Sequence, residues 1–196
     1  MGAITAREAP RSVETLQLRG GQSVTVRAAD PRDGERIQSY IRELSPESRR
    51  DRFFGALNEL SPAELHRMTH PENRHQLALI AETIMDGACT MIGEARYAVA
   101  SGDVSCEIAL SVAEAWRRRT LGTQLIEILA RRAKDLGVHY LVADVLRSNE
   151  AMTTLARKAG FVTTAQIADA RSMRITKKLS LPADYDLAAQ DYRVAV

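Results

Sequence analysis

Cysteine, aromatic side chains and long apolar runs are all scarce in this sequence. Its 196 residues include two cysteines, Cys89 and Cys106, without the CxxC spacing of a zinc or redox motif, so reduced thiols in a cytoplasmic protein are expected. No apolar run approaches the roughly 18 residues that a membrane span needs. Residues 1–21 also lack the apolar stretch of a secretory signal. The net charge of +2 is too small to indicate a nucleic-acid-binding protein.

A folded domain is nevertheless expected from the overall composition. Hydrophobic residues make up 45% of the chain, enough for a sizeable core, and charged residues at 27% are ordinary for a globular protein. The two ends of the chain lack clear hydrophobic periodicity. The sequence therefore predicts a polar N-terminal leader over residues 1–21, one folded domain over residues 22–180 and a C-terminal tail over residues 181–196.

The first part of the domain has the pattern of one strand followed by three short helices. Residues Ser23–Ala29 alternate between polar and apolar side chains, as a half-buried strand does. Asp30, Ser45 and Ser61 are each followed by proline. A capping side chain before proline at the first helical position is typical of a helix N-terminus. Glu64 adds a capping box to the third of these helices.

The rest of the domain alternates strands and helices. Three apolar, strand-like segments are joined by turns at Asp86-Gly87 and Ser101-Gly102-Asp103, and the third segment covers Ser105–Val112. A long helix, a continuous apolar strand, a short helix ending at Gly160 and two closing strands follow. The order β-α-α-α-β-β-β-α-β-α-β-β predicts an α/β (α+β) fold. Its central sheet would be mixed and mostly antiparallel, with about seven strands flanked by about five helices.

The turn Arg117–Thr123 stands between the third of these strands and the long helix. A helix that begins directly after a strand presents unpaired backbone N–H groups and the positive end of its dipole, which together attract anions. Gly122 lets a ligand approach the backbone closely, and the arginines can add charge-assisted hydrogen bonds. From these residues alone, the turn is as compatible with a solvated basic loop as with a pyrophosphate site.

The run from this strand through SNEAMTTLARKAGF, Ser148–Phe161, resembles the GNAT superfamily of acyl-CoA-dependent N-acyltransferases. The phosphate turn of that superfamily has the form Q/R-x-x-G-x-G/A, in which Arg117 matches the first position and Gly122 the last. Thr120 stands where the superfamily usually has its first glycine. The resemblance covers roughly Ser23–Leu179. Within it, LSPESRRDRFFGALNELSPAEL is similar to the bacterial Pat-type protein-lysine acetyltransferases and their relatives.

The resemblance implies a GNAT fold and acetyl-CoA as cosubstrate, with no metal. Seven turn residues would bind the pyrophosphate: Arg117, Arg118, Arg119, Thr120, Leu121, Gly122 and Thr123. Four other residues would meet the pantetheine arm: Leu110, Ser111, Val112 and Asn149. A backbone N–H of the strand would also stabilise the negative charge on the tetrahedral oxygen.

Attack on a thioester requires an amine that has lost a proton, and Glu107 is the candidate base. It interrupts a run of small and apolar residues on the strand that leads into the turn. The alternative is a glutamate on a solvent-exposed strand face. Glu94 on the neighbouring strand is the second candidate and is expected to be structural. Ala156 occupies the position of the tyrosine that acts as the acid in many GNAT enzymes, which leaves water or Ser148 to protonate the thiolate.

The sequence therefore predicts an N-acetyltransferase that moves an acetyl group from acetyl-CoA to a primary amine, in a protein lysine or a small molecule, by direct attack in a ternary complex. A non-catalytic acyl-CoA-binding sensor or interaction module is the alternative, motivated by Thr120 and Ala156. A basic protein-interaction or nucleic-acid-binding module without a CoA site is the third hypothesis, which the modest net charge disfavours. No metal site is expected, since His66 and His70 lack a third ligand nearby. A homodimer is compatible with the sequence.

Overall fold

The computed structural model describes residues 13–71, 75–100, 103–165 and 170–179. The strands are β1 (Glu14–Gln17), β2 (Ser23–Ala28), β3 (Gln76–Met85), β4 (Ala88–Ala98), β5 (Ser105–Val112), β6 (Tyr140–Leu146), β7 (Val162–Ala165) and β8 (Ser172–Lys178). The helices are α1 (Gly34–Glu43), α2 (Pro46–Phe53), α3 (Pro62–Thr69), α4 (Leu121–Asp135) and α5 (Glu150–Lys158). Three predicted features lie wholly or partly outside the described residues: the tail 181–196, the start of the leader and the turn residues Ser101 and Gly102.

The eight strands of the described segments form one sheet in the order β1-β2-β3-β4-β5-β6-β8-β7. Neighbouring strands are antiparallel except for β5 and β6, which are parallel. Helix α4 connects these two strands, and such a crossover lets the second strand run in the same direction as the first. The predicted mixed, mostly antiparallel sheet with five helices is confirmed, with eight strands in place of about seven.

Strand β1 lies in the segment for which the sequence predicts a polar leader. It pairs with β2 from Glu14–Val26 to Gln17–Ser23, and Leu16 packs against the core. The strand has four residues, too few for their alternation to be recognised in the sequence. The leader prediction is therefore wrong for residues 14–17, which belong to the sheet.

The predicted proline-led helix N-termini are present in the structure. Ser45 and Ser61 each accept a hydrogen bond from the backbone N–H three residues further on. Asp30 caps a short 3-10 turn that begins at Pro31, so α1 itself starts at Gly34. Because these caps satisfy backbone donors that would otherwise be unpaired, they determine where each segment begins.

Apolar side chains form a core on each face of the sheet. Helices α4 and α5 cover one face, where Leu125, Ile126 and Leu129 are fully buried. Helices α1 and α3 cover the other face and bury Ile80 and Met91. Since side chains alternate along a strand, neighbouring residues of β5 face different helical layers. No helix in the described segments is long and apolar enough to cross a membrane.

Candidate active site

The parallel strands β5 and β6 separate part-way along their length. They are paired only over residues Ser105–Glu107 of β5. Beyond that point β5 continues to Val112 beside β4, while β6 continues to Leu146 beside β8. A gap therefore opens between the two strands, and the second half of β5 carries backbone groups without a β6 partner.

Backbone N–H groups of Leu110 and Val112 face this gap. The Ala113 N–H donates to the Ile92 carbonyl of β4 at 2.9 Å. In an antiparallel pair, alternate residues direct their backbone groups to the same neighbouring strand. The Ser111 N–H therefore points to β4, whereas the N–H groups of Leu110 and Val112 point into the gap. These two are the residues of the predicted trio that can donate to a ligand there.

The Ser111 hydroxyl belongs to a buried polar network rather than to the gap. It donates to Glu94 Oε1 at 2.9 Å and lies 3.1 Å from the Tyr40 hydroxyl. Glu94 is fully buried and also accepts from Arg52 Nε at 2.6 Å. Burial alone would raise the pKa of Glu94, but the charge and hydrogen bonds of Arg52 outweigh it and lower that pKa. Glu94 is thus an ionised structural carboxylate.

Helix α4 begins at Leu121 without a side-chain cap. The Gln124 N–H is bonded to the Thr120 carbonyl at 3.1 Å, so the N–H groups of Leu121, Gly122 and Thr123 precede the hydrogen-bonded part of the helix. Together with the helix dipole, these N–H groups make this end of α4 suited to an anion. The Leu121 side chain lies in the core, so that residue can contribute only its backbone to a ligand.

One cavity of about 1470 Å³ joins this helix end, the strand gap and the opposite face of the sheet. Its wall includes most of the predicted site residues: Glu107, Leu110, Ser111, Val112, Arg117, Arg118, Thr120, Gly122, Thr123 and Asn149. Arg119 is an exception, since its guanidinium lies over the Trp116 ring, 4.9 Å from the ring centroid. Apart from Arg119 and Leu121, the fold gathers the predicted residues around one space.

Known proteins resemble this chain in both sequence and fold. Residues 40–161 match the acetyltransferase (GNAT) family, and Acetyltransferase PA5475 of Pseudomonas aeruginosa is 31% identical over 160 residues, or 82% of this chain and 85% of that protein. This chain belongs to the GNAT acetyltransferase family. The GNAT domain of S. lividans PAT has a TM-score of 0.79 at 26% identity, over 88% of this chain and 100% of that chain. The Salmonella typhimurium acetyltransferase yncA, solved with acetyl-CoA, has a TM-score of 0.62 at 19% identity, over 84% and 98% of the two chains.

The three arginines of the GNAT turn have different surroundings. Arg117 Nε donates to the Val112 carbonyl at 3.1 Å, and a terminal nitrogen of Arg117 donates to the Ser48 hydroxyl at 2.7 Å. Arg119 stacks on an aromatic ring, as described above. Arg118 is exposed on the cavity wall and makes no hydrogen bond or ion pair within the part of the chain that the structure describes. Arg118 is therefore the turn arginine most available to a phosphate.

Glu114 connects helix α2 to the GNAT turn. Its carboxylate accepts from the Ser45 N–H at 3.1 Å and from the Ser48 hydroxyl, which itself accepts from Arg117. Burial would raise the pKa of Glu114, but these hydrogen bonds prevail and lower it to about 2. The carboxylate is therefore ionised at neutral pH, and α2 shares one polar network with the turn.

Thr120 has a backbone conformation that suits the glycine usual at this position. Its φ of 75° and ψ of −9° lie in the left-handed region. A side chain there brings Cβ close to the following carbonyl oxygen, at a cost of about 1–2 kcal/mol. The Thr120 hydroxyl accepts from Gln124 Nε2 at 3.1 Å, which offsets part of that cost.

We expect Thr120→Gly to retain acetyl-CoA affinity and to raise the free energy of unfolding by up to about 1 kcal/mol. Relief of the left-handed strain should exceed the extra entropy that glycine gives the unfolded chain. Thr153→Gly is the matched control, because it removes the same side chain from the right-handed helix α5 and should destabilise. Urea denaturation and calorimetric titration with acetyl-CoA measure both effects. A large loss of affinity in Thr120→Gly would mean that the threonine contacts the cofactor.

Helix α5 packs closely on the start of α4 and forms another side of the cavity. A Cβ built on Gly122 would lie 2.9 Å from a Leu155 methyl group, so glycine permits this approach. Asn149 is the N-cap of α5, and its Oδ1 accepts from the Met152 N–H at 2.8 Å. Any contact of Asn149 with the pantetheine arm would therefore come from its amide NH₂ group.

Glu107 lies on the cavity wall with an exposed side chain. It is the last residue of β5 that pairs with β6, so it stands where the gap begins. Its side chain shares a sheet face with Ala109 and Ser111, since the three alternate along β5. A carboxylate in this position can meet an amine that approaches the gap from the α1–α3 side.

Two charged residues of the cavity carry no distinctive signal in the sequence. Asp51 on α2 has a buried Oδ1 atom for which the described segments supply no hydrogen-bond partner, and burial raises the pKa of this carboxyl group. Arg96 on β4 faces the same cavity as Glu107. Both residues stand in sequence segments that contain other charged residues, and no local pattern predicts that their side chains face the cavity.

The remaining expectations concern a proton donor and a metal. Ala156 is buried in the core at 2% exposure, and neither Ala156 nor Ser148 lies on the cavity wall. Of the two predicted proton sources for the thiolate, Ser148 is therefore not placed to act, and water remains. His66 and His70 stack with their ring centroids 4.1 Å apart, and the described residues contain no cluster of three potential metal ligands.

Proposed function

We propose that this protein transfers an acetyl group from acetyl-CoA to a primary amine, in a protein lysine or a small molecule, by direct attack in a ternary complex. The observation that supports this proposal is the continuity of one cavity. The uncapped start of α4 opens onto the β5–β6 gap, and the gap opens onto Glu107. Along this cavity a pyrophosphate would meet the N–H groups at the start of α4, a thioester would meet those in the gap, and an amine would meet the Glu107 carboxylate.

The chain's own groups can hold the cosubstrate at two points. At the start of α4, the N–H groups of Leu121–Thr123 and the guanidinium of Arg118 would bind the pyrophosphate. In the gap, the N–H groups of Leu110 and Val112 would hold the pantetheine arm and the thioester oxygen. A fixed donor aimed at that oxygen stabilises the negative charge that develops during attack.

Glu107 would take a proton from the ammonium form of the acceptor, directly or through water. The freed amine nitrogen then forms a bond to the thioester carbon, and the carbon–sulfur bond breaks to release CoA thiolate. The nitrogen, which carries a positive charge after the attack, then gives its second proton to water, and water would pass a proton to the thiolate, so that the products are the neutral amide and CoA. Holding both reactants in one cavity removes most of the entropic cost of bringing them together.

Thr123→Glu tests the cofactor half of this proposal. A carboxylate in the first turn of α4 suits the helix dipole, so the fold should persist. It would repel the pyrophosphate, and two unit charges about 4 Å apart near a protein surface interact by about 4 kcal/mol. We therefore expect acetyl-CoA affinity, measured by calorimetry, to fall at least about tenfold. Thr153→Glu on α5, away from the cavity wall, is the control and should bind as the unaltered protein does.

Turnover is tested by following CoA release with a panel of amines and lysine peptides, and by mass spectrometry of the acceptors. Release of CoA together with an N-acetylated product would support the proposal. Acetyl-CoA binding without turnover on any acceptor would overturn it in favour of a non-catalytic acyl-CoA-binding module. The buried Ala156 in place of a tyrosine is the observation that favours this second function.

A further inference from the structure

Arg96 is a cation in the acceptor half of the cavity, and none of the described residues forms an ion pair or a hydrogen bond with its side chain. It lies on β4 opposite Ala109 of β5 and Ala78 of β3, small residues that leave its side chain room. Three other arginines around the sheet pair with carboxylates: Arg27 with Asp33 (2.7 Å), Arg52 with Glu94 (2.6 Å) and Arg174 with Asp144 (2.7 Å). Arg96 makes no ion pair or hydrogen bond with any residue that the structure describes.

The two carboxylates whose charge acts on Arg96, Glu94 and Glu64, are already hydrogen-bonded to other groups. Glu94 is held by Arg52 and by the Ser111 hydroxyl. Glu64 on α3 accepts from the Ser61 N–H at 3.0 Å and from the Ser61 hydroxyl at 2.7 Å. Both act on Arg96 through their charge but do not bond to it. Arg96 is thus left as a hydrogen-bond donor that opens into the cavity.

Arg96 is half-buried on the cavity wall, and the negative charges of Glu94 and Glu64 offset part of the cost of removing it from water. Burial and the neighbouring Arg52 lower the pKa of Arg96 to about 10, which still leaves it charged at neutral pH. A guanidinium with free N–H groups presents a planar fork that matches a carboxylate in two parallel hydrogen bonds. A ligand that brings a carboxylate into the cavity would therefore find this fork without a hydrogen-bond partner among the described residues.

The register of the sheet places Arg96 close to the proposed reaction point. Arg96 and Ala109 are direct partners, about 5.5 Å apart at Cα, and Glu107 is a diagonal neighbour about 7–8 Å away. All three side chains are on the same sheet face, because Glu107 and Ala109 alternate together along β5. One small molecule can therefore span Glu107 and Arg96.

We propose that Arg96 binds a carboxylate of the acceptor, so that the acceptor is a primary amine with a carboxylate a few bonds away. This inference rests on the proposed function and assigns its substrate class. The amine faces Glu107 and the strand gap, while the carboxylate lies on Arg96. Arg67 of α3 lines the same cavity and adds positive charge on that side.

The test compares carboxylate-bearing amines with their carboxamides. Glycine, β-alanine, 4-aminobutyrate and L-methionine are each paired with the corresponding amide, and kcat/KM is measured by CoA release. Lysine peptides with and without an adjacent glutamate form a second arm, which distinguishes a protein carboxylate from that of a free amino acid. We expect kcat/KM to be at least about tenfold higher for the acid of at least one pair, as for a charged hydrogen bond.

Arg96→Gln should abolish that acid-over-amide preference, because kcat/KM for the acids should fall to that of the corresponding amides. Arg96→Lys, which retains the positive charge but lacks the planar guanidinium, should retain part of this preference. Arg157→Gln, an exposed change on α5 away from the cavity wall, is the control and should keep the full preference. A structural role for Arg96 would lower both rates together.

Two outcomes would overturn the inference, and only the second would also overturn the proposed function. Equal rates for acids and amides, with CoA released from both, would contradict the carboxylate site and leave the acetyltransferase function standing. No turnover of any acid, amide or peptide, despite acetyl-CoA binding, would overturn the proposed function and the substrate class with it.

Discussion

Replacing Glu107 by glutamine should lower kcat by about 10²–10⁴-fold, the usual contribution of a positioned general base. Glutamine keeps the shape of the side chain and its ability to hydrogen-bond, but it cannot take the proton of an ammonium group. Glu107 is exposed and lies outside the pyrophosphate end of the cavity, so stability and acetyl-CoA affinity should change little. The measurements are steady-state CoA release and calorimetric titration on the same preparations.

Glu127→Gln provides the matched control for this result. Glu127 is exposed on α4 and does not line the cavity, so its replacement should leave kcat unchanged. Full turnover in Glu107→Gln would show that the base is another group, although the family would stand. Asp51 would be tested next by Asp51→Asn, because it is the cavity carboxyl group whose pKa burial raises.

Replacing Arg52 by methionine should cost about 3–5 kcal/mol of unfolding free energy, the largest stability effect that we expect in this protein. Methionine keeps much of the apolar stem of Arg52 but leaves Glu94 as a fully buried carboxylate without its cation. Removal of one partner from a buried ion pair is costly because the other charge remains desolvated. Chemical denaturation, followed by circular dichroism, measures the loss.

The pH dependence of this loss has a definite sign. In the unaltered protein the pKa of Glu94 lies below its ordinary 4.5, so the pair stabilises above that pH and its contribution is lost on further acidification. Without Arg52, burial should dominate and raise that pKa. The folded variant would then bind a proton more readily than the unfolded chain. The deficit should therefore be largest at neutral pH and shrink towards pH 5.

Arg50→Met is the comparison for the Arg52 variant. Arg50 is adjacent on α2 but more than half exposed, and its nearest carboxylate oxygen, on Asp51, is 3.9 Å away. Exposed pairs contribute about 0–1 kcal/mol, so this change should be small. If Arg52→Met were no more destabilising than Arg50→Met, the buried ion pair between Arg52 and Glu94 would not stabilise the fold as predicted.

Secondary structure was largely readable from the sequence because its signals are local. Ser45 and Ser61 before proline mark helix starts, since a cap and its backbone donor lie three residues apart. The alternation in Ser105–Val112 and the helical spacing after Leu121 likewise depend on near neighbours. Strand β1 was not recognised, because its four residues are too few to show an alternation and join the sheet by pairing with β2.

The candidate site could be predicted only in part. The turn pattern identified Gly122 and Thr120, and the structure explains both: one permits the approach of α5 and the other has a positive φ. The same pattern treated the three turn arginines alike. Arg119 lies on Trp116, whereas Arg118 has no bonding partner among the described residues, a difference that depends on the path of the chain through the turn.

By itself, the sequence determined the order of the elements, the family turn and the segment that carries Glu107. Those features depend on residues a few positions apart, whose spacing is visible along the chain. The tertiary structure decided which groups face one another. Strand register, which joins residues far apart in sequence, directs the Ser111 hydroxyl to Glu94 and leaves Arg96 in the cavity beside Glu107. Since each such position depends on the packing of several elements at once, no local pattern could have shown it.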